Sequence, residues 1–598
     1  MSAPAAPPAP GGVLQRWLGD WVAEVSADSL RADALAALLA AVLVLPQAIA
    51  FAALAGLPPA WGLYGAVLPT AVAALAGSSR HVLTGPTNAL SLALAASLAP
   101  LAVAGSAEYL RLALVLTLMV GAIQLAIALL RLGVLTHYIS PSVLLGFTAG
   151  AAVLIAWHAL RGLVAWPLPP VEVLKGSWSD PRLGAALGPL LVGGLTFAAV
   201  LLLRRLWRRG PVLLLALAAG TAAGVALVQG AHWPLERIGA LPQAWPPFAP
   251  PAFAWGDVSK LIAIALAITL VALGQGIAIA KTLAARSGQH LDVNRECLGQ
   301  GLANLTGGLF SSFVGCGSLN RSAPHFEAGA RTPLAGVMAA AGVLALVALA
   351  APLLAWVPMA AIDALLLLVA WSLVDIAQWR ELARLDRREA GVAGGTLIAT
   401  LLLPLQVAVL AGMAASLLFY LYRTSRPALR TMGFNRPPTG AEVRPFVLLP
   451  TGATECPQLK LLRVEGPVWF GAEAHVADAL RALREPPNAP RHLLVMSKSM
   501  NFIDPAGVAL WERERARRRE LDGGLYFHRP RPDVLDAWQR SGFIDRLGAD
   551  HLFDSKREAL ATIVPRLDGA VCARCTVRLF EECARQPGGV AGGVSPHA

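Results

Sequence analysis

The sequence predicts a polytopic α-helical membrane domain followed by a soluble α/β domain, and three observations carry that prediction. The 598 residues are 56% hydrophobic and only 14% charged, with a mean hydropathy of +0.59, whereas a soluble chain carries about a quarter charged residues. The apolar residues gather into runs such as "ALAALLAAVLVLPQAIAFAALAGL", "LVLTLMVGAIQLAIALL" and "LLLALAAGTAAGVALV", each approaching the ~20 residues that cross a bilayer. Between about residues 34 and 422 there are twelve to fourteen such stretches, and beyond them the texture changes to short alternating strand-like and helix-like runs.

The elements follow in order. Residues 1–29 open with "MSAPAAPPAPGG", which reads as a disordered lead; it lacks the basic start and cleavable apolar core of a signal peptide, so the first span serves as the insertion signal. Residues 30–424 form the membrane domain. In its first span, Pro46 has no N–H and frees the carbonyl of Val42. Gln47 and Phe51, one turn apart, share a face. An amide beside a ring suits the wall of a small-oxyanion site, although a simple proline kink with a packed Phe has the same pattern.

Two short polar interruptions lie far apart in this domain: "SSRHVLTGPTNALSLALA" and "GCGSLNRSAP". Paired Gly/Pro-broken segments in two halves of a membrane chain point to an inverted-repeat transporter with its substrate between the repeats. Irregular backbone at bilayer depth must line a cavity, and a helix starting there leaves its first N–H groups open. With the positive end of the helix dipole, those groups make an anion site. In the first break Thr84 and Gly85 give a non-helical entry, Pro86 a first turn, and Thr87 and Asn88 polar donors. In the second, Gly317 gives the turn, followed by Ser318, Asn320 and the charge of Arg321. Either break alone could be a helix-packing site, and a lone Arg could snorkel to the interface; two breaks of matching chemistry favour an anion cavity.

The net charge of +12 is distributed by topology. Arg204, Arg205, Arg208 and Arg209, then Lys281 and Arg286, Arg331, and the arginines of "WRELARLDRRE" fall in alternate connections, while the Pro/Trp-rich "HWPLERIGALPQAWPPFAPPAFAW" is poor in basic residues. This positive-inside pattern places both termini in the cytoplasm. It argues for a lipid bilayer, not nucleic acid, as the partner.

Residues 425–457 are basic, Pro-rich and aperiodic, and read as a linker. Residues 458–568 alternate strands and helices, predicting a parallel or mixed sheet covered by helices. Residues 569–598 form a tail in which "CARCTVRLFEEC" spaces Cys572, Cys575 and Cys583 as C-x2-C-x7-C. Three thiolates could hold a metal, with no obvious fourth ligand; a redox pair or inert buried thiols are the alternatives. The predicted cytoplasmic setting keeps thiols reduced, so no disulfide framework is expected, and no cofactor is expected. No nucleophile–base pair, phosphate-cradling loop or complete ligand set is visible, and His137, His158 and His325 stand apart. An enzyme is not predicted.

The segments "LPQAIAFAALAGLPPAWGLYGAVLP", "GSSRHVLTGPTNALSL", "DVNRECLGQGLANLTGGLF" and "GSLNRSAPHFEAGARTPLAG" closely resemble the sulfate permease (SulP) family of anion transporters. The stretches "SMNFIDPAGVALWE" and "RSGFIDRLG" resemble that family's STAS domain. The resemblance implies fourteen membrane segments in two inverted seven-segment repeats, as in uracil-permease-like transporters, then a cytosolic STAS domain. It also implies an anion held between the third and tenth segments, elevator-like movement, and often a homodimer. The site residues it implies are Gln47, Phe51, Thr87, Ser318, Leu319, Asn320 and Arg321. Two positions depart from the pattern. Gln275 stands where many bacterial relatives have an acidic residue suited to Na⁺ or a proton, and Pro505 and Ala506 stand where soluble relatives carry a phosphorylatable serine. The expected function is secondary active transport of a small inorganic anion (sulfate, bicarbonate or a related oxyanion, or exchange with chloride). An uncoupled channel, or an anion-responsive protein whose STAS domain signals to a cytosolic partner, is the alternative. A nucleobase transporter is disfavoured, because Gln275 offers no carboxylate to pair with a base.

Overall fold

The computed structural model describes residues 20–134, 140–164, 181–207, 212–239, 243–434, 446–450, 452–485 and 489–588. The Pro-rich start of the lead, Arg208 and Arg209, His137, part of the linker and the end of the tail lie outside them. The chain divides into two compact units, 1–416 and 417–598.

The first unit opens earlier than composition suggests. Residues 20–24 form a 3-10 turn, and helix α1 (Ala27–Leu54) starts at a capping box in which Ser26 Oγ accepts from Ser29 N and Ser29 Oγ from Ser26 N. Two orphan N–H groups are thereby satisfied, so the lead 1–29 is not wholly disordered. α1 runs unbroken through Pro46. There follow α2 (Pro59–Gly65), α3 (Leu68–Ala76), strand β1 (Thr84–Gly85), α4 (Asn88–Leu98), α5 (Ala107–Leu129), α6 (Pro141–Leu163), α7 (Pro181–Leu206) and α8 (Val212–Gly230). The second run is α9 (Trp255–Ser287), α10 (Val293–Leu309), β2 (Cys316–Gly317), α11 (Leu319–Glu327), α12 (Leu334–Leu354), α13 (Met359–Leu373), α14 (Ile376–Leu385), α15 (Arg387–Leu402) and α16 (Leu405–Thr424).

Ten helices among the described residues are long and apolar enough to cross a membrane. Fewer qualify than the twelve to fourteen apolar stretches of the sequence because several segments are short or polar: α4 has 11 residues, α11 nine and α10 17. Packing is unequal. α5 lies along α10, which also meets α3, and α12 lies along α1, while α6, α7, α8, α13 and α15 pack mainly on one another. Glycine sets the α5–α10 approach: a Cβ on Gly121 would sit 2.7 Å from Leu305 N, and one on Gly301 2.8 Å from Leu125 N. Small residues at such a crossing let backbones touch.

The second unit is a six-stranded sheet in the order β4-β3-β5-β6-β7-β8. Its strands are β3 (Ala428–Phe434), β4 (Phe446–Leu448), β5 (Leu459–Glu465), β6 (His492–Met496), β7 (Leu525–His528) and β8 (Leu552–Phe553). β5 to β8 pair in parallel, whereas β3 pairs antiparallel with β4 and β5. Strand alternation buries both faces: Leu462, Val464, Leu493, Val495 and Phe527 face one cluster with Trp511 and Trp538, and Leu459, Leu461, Leu494 and Tyr526 face another. The segment 425–457 is therefore not only a linker, since β3 and β4 extend the sheet. β4 has only three residues and β3 carries the exposed Arg430, too little alternation to read as strands from the sequence. The tail also folds in part, with Cys572 and Phe580 in the second cluster.

His492 is buried in that cluster's layer, stacked on Tyr526, whose hydroxyl lies 3.3 Å from His492 Nδ1. Burial, with Arg518 nearby, pushes its pKa down to about 4, against about 6.5 unfolded. The folded state binds fewer protons, so this contribution is present above pH ~6.5 and is lost as pH falls toward the folded value. Urea melts of the excised second unit at stepped pH should show a loss on the order of 2–3 kcal/mol between those limits, absent in His492→Phe. Equal pH slopes in the two chains would refute a neutral buried imidazole.

Candidate functional site

The two polar interruptions meet in space. β1 pairs antiparallel with β2, Thr84 opposite Gly317 and Gly85 opposite Cys316. Each two-residue strand runs straight into a short helix, α4 after Thr87 and α11 after Ser318, and both of these N-cap residues are extended. Because the strands are antiparallel, the helices leave in opposite directions and their positive ends flank the same ladder. Neither Thr87 nor Ser318 caps its own helix with its side chain, so the starts keep N–H groups for a ligand.

Tertiary bonds hold the backbone in this non-helical path. Thr70 Oγ1 donates to Thr84 O at 2.6 Å, and Leu83 N donates to Ser322 Oγ at 2.9 Å. The Asn304 amide takes the place of a third strand, donating to Gly315 O at 3.0 Å and accepting from Gly315 N at 2.8 Å; it is held in turn by Gln124 Oε1. Glycine is required where the breaks touch, for a Cβ on Gly315 would lie 2.6 Å from the carbonyl carbon of Gly85.

A cavity of about 340 Å³ opens at the two helix starts, ample for a small oxyanion and water. Thr87 and Asn88 line it from one start, Ser318, Leu319 and Asn320 from the other, and Gln275 from α9. Thr87 and Asn88 are buried, Gln275 and Ser318 half-buried, and Leu319 and Asn320 exposed. The Asn88 carboxamide turns back to accept from Ala89 N at 2.8 Å. Cys316 Sγ lies 3.7 Å from both Thr87 Oγ1 and Gln275 Oε1, linking the two sides.

Three of the sequence candidates are not on this wall. Gln47 and Phe51 are buried in α1, which packs on α4 and α11, and Gln47 Oε1 has no hydrogen-bond partner. Arg321 does not project into the cavity as its position suggested. It is 1% exposed, donates from Nη2 to Pro86 O at 2.9 Å, and has an unpartnered Nε. Among the described residues no carboxylate pairs with it. The arginine ties one helix start to the strand before the other and leaves an uncompensated positive charge behind both.

Residues that sequence reasoning missed complete the wall: Thr148 of α6, and Ser372, Asp375 and Gln378 around the start of α14. Ser372 lies in the last turn of α13 while Asp375 and Gln378 open α14, so they converge across the break between those helices, just before the stretch that read as a cytoplasmic basic connection. Asp375 Oδ1 accepts from Gln378 N at 2.9 Å and caps α14. The tail cysteines are elsewhere, in the second unit, and no three ligand-type residues among the described ones stand at single-ion spacing.

Comparison with known proteins supplies the context. The family model described as Sulfate permease family matches residues 30–396, and that of the STAS domain residues 453–559. A probable sulfate transporter of Mycobacterium tuberculosis (strain CDC 1551 / Oshkosh) is 32% identical over 529 residues, covering 88% of this chain and 93% of the relative. The chloroplastic sulfate transporter 4.1 of Arabidopsis thaliana is 27% identical over 555 residues, covering 88% and 79%. Among solved structures, the murine Solute Carrier 26 family member A9 anion transporter in the inward-facing state matches with a TM-score of 0.79 at 18% identity, covering 91% of this chain and 93% of that one. The transmembrane domain of a cyanobacterium bicarbonate transporter, BicA, matches at 0.57 and 23% identity, covering 64% and 98%.

Proposed function

Because the chain belongs to the sulfate permease family and is a multi-pass anion transporter with a STAS domain, we propose that it performs secondary active transport of a small oxyanion, sulfate or bicarbonate. The observation that carries the reading is the pair of uncapped helix starts opening on one cavity with an unpaired arginine behind them. Each start presents the equivalent of about half a positive charge, and Arg321 adds a full one, so the cavity favours an anion over a neutral or cationic solute. Hydroxyl and amide groups of Thr87, Ser318, Asn320 and Gln275 would replace part of its water. This geometry suits sulfate and bicarbonate alike, and the relatives' names supply those two candidates.

In this reading the membrane domain has fourteen segments, the four helices α4, α10, α11 and α15 joining the ten longer ones, arranged as two inverted repeats. The group around α1, α5, α10 and α12 would move as an elevator against the group around α6, α7, α8, α13 and α15. Both termini would be cytoplasmic, in the cell membrane (the inner membrane if the source is bacterial), and the transporter would act as a homodimer. Proteoliposome uptake of labelled sulfate, bicarbonate and chloride, under imposed pH and Na⁺ gradients, tests this. Saturable uptake with trans-stimulated counterflow is expected, and flux of none of the three would sink the proposal.

Uncoupled flux is the second reading, and Gln275 favours it: an amide on the cavity wall neither ionises nor balances a cation. Gln275→Glu should make uptake dependent on Na⁺ or pH, or suppress it by several-fold through charge repulsion. Wild-type uptake driven by a Na⁺ gradient and abolished in Gln275→Ala would contradict an uncoupled role for this position.

A further inference from the structure

The C-x2-C-x7-C spacing lacks a fourth ligand only in the linear sequence. Cys456, just before β5, lines the same small cavity as Cys572, Cys575 and Cys583, together with Pro457, Leu567, Val577 and Leu579. Four of the chain's six cysteines thus surround one apolar space in the second unit, and none of them forms a disulfide. Chance burial of small hydrophobes does not explain why the polar groups nearby are arranged around them. Gln458 Nε2 donates to Cys572 Sγ at 3.3 Å while its Oε1 accepts from Asp568 N at 2.8 Å, tying the β5 segment to the tail. Arg578 donates to the carbonyls of Cys572, Cys583 and Pro587, which fixes the tail loop and places a positive charge beside the thiols.

We propose that Cys456, Cys572, Cys575 and Cys583 ligate one metal centre of iron–sulfur type. The spacing of the thiols distinguishes a cluster from a single ion. A tetrahedral zinc holds its sulfurs at about 2.3 Å, hence about 3.8 Å from one another, with no room left between them. Among the described residues no three ligand-type groups stand at single-ion spacing, so the four thiols that line this one space are set wider than a single zinc would hold them. Four cysteines lining one apolar space at wider than single-ion spacing, with an N–H donor to a sulfur and a cation alongside, match what a cluster needs from its protein. Arg578 offsets part of the negative charge of four thiolates, and Gln458 is a positioning residue for Cys572.

The test uses the full-length protein, purified in detergent without oxygen, with iron, zinc and acid-labile sulfide measured alongside the visible spectrum. Iron and sulfide should be present in equal amounts, roughly two to four of each per chain, with a broad visible absorption. Cys456→Ser and Cys575→Ser should each lose most of both, while Cys297→Ser, a cysteine of the first unit, keeps them. Elution as a monodisperse species is checked for each variant. Cys575 is half-buried, so its variant should fold even if Cys456→Ser does not. One zinc per chain without sulfide, no metal at all, or full retention of iron in Cys456→Ser would each overturn the assignment.

Discussion

Gly315→Ala abolishes anion uptake, to below about a tenth of wild type, while Gly194→Ala leaves it unchanged. The two substitutions add the same methyl group. At residue 194 nothing lies within 4 Å of the added carbon, whereas at 315 it falls 2.6 Å from the backbone of Gly85. Backbone cannot rotate away as a side chain does, so the ladder between β1 and β2 must open. Overpacking of this kind costs about 1–3 kcal/mol. The damage to function exceeds the damage to stability, because both helix starts take their direction from that ladder. Asn304, which bonds both polar groups of residue 315, holds the shifted strand in place and prevents an easy escape. Proteoliposome uptake and thermal stability of both variants check this; normal uptake by a folded Gly315→Ala protein would mean that the pairing is dispensable.

The breaks themselves were legible in the sequence because glycine, proline and threonine at bilayer depth have few structural uses. Their pairing was not. Thr84 and Gly317 meet only through tertiary structure, and two-residue strands carry no periodicity. The same limit hid Thr70, Gln124, Asn304 and Ser322, ordinary polar residues on helices until the strands they brace are in place. Arg321 was legible as a charge with a role, but the direction of its side chain depends on Pro86, far away in sequence. In the second unit strands β5 to β7 declared themselves as short apolar runs between helix-like stretches, buried on both faces of the sheet. Strand β3, between β4 and β5, did not, since Arg430 and Thr431 interrupt its apolar residues. Cys456 was invisible as a partner of the tail cysteines for the same reason as the ladder: the sheet, not the spacing, brings it there.

Arg321→Gln weakens sulfate or bicarbonate binding tens-fold, and Arg321→Lys weakens it far less. The argument rests on charge acting through a low-dielectric interior. Arg321 is not on the cavity wall, so it makes no bond to the anion; it contributes potential from behind the two helix starts. A unit charge a few ångströms beyond contact, at an effective dielectric of about 20, is worth about 2 kcal/mol, which is the tens-fold change expected. Gln keeps a donor for the Pro86 carbonyl while removing the charge, so lost bonding does not confound the result. Lys keeps the charge while losing the planar guanidinium that reaches Pro86 O and packs at Gly85. A membrane interior tolerates a buried cation poorly without a partner, so the Gln chain should also be the more heat-stable of the two when no anion is present, and that order should narrow as anion is added. Calorimetric dissociation constants in detergent, with melting temperatures at several anion concentrations, measure both effects. An unchanged dissociation constant in a monodisperse Arg321→Gln protein would remove the arginine from the anion field. A loss in the Lys protein that the Gln protein does not share would instead assign its role to the bond with Pro86.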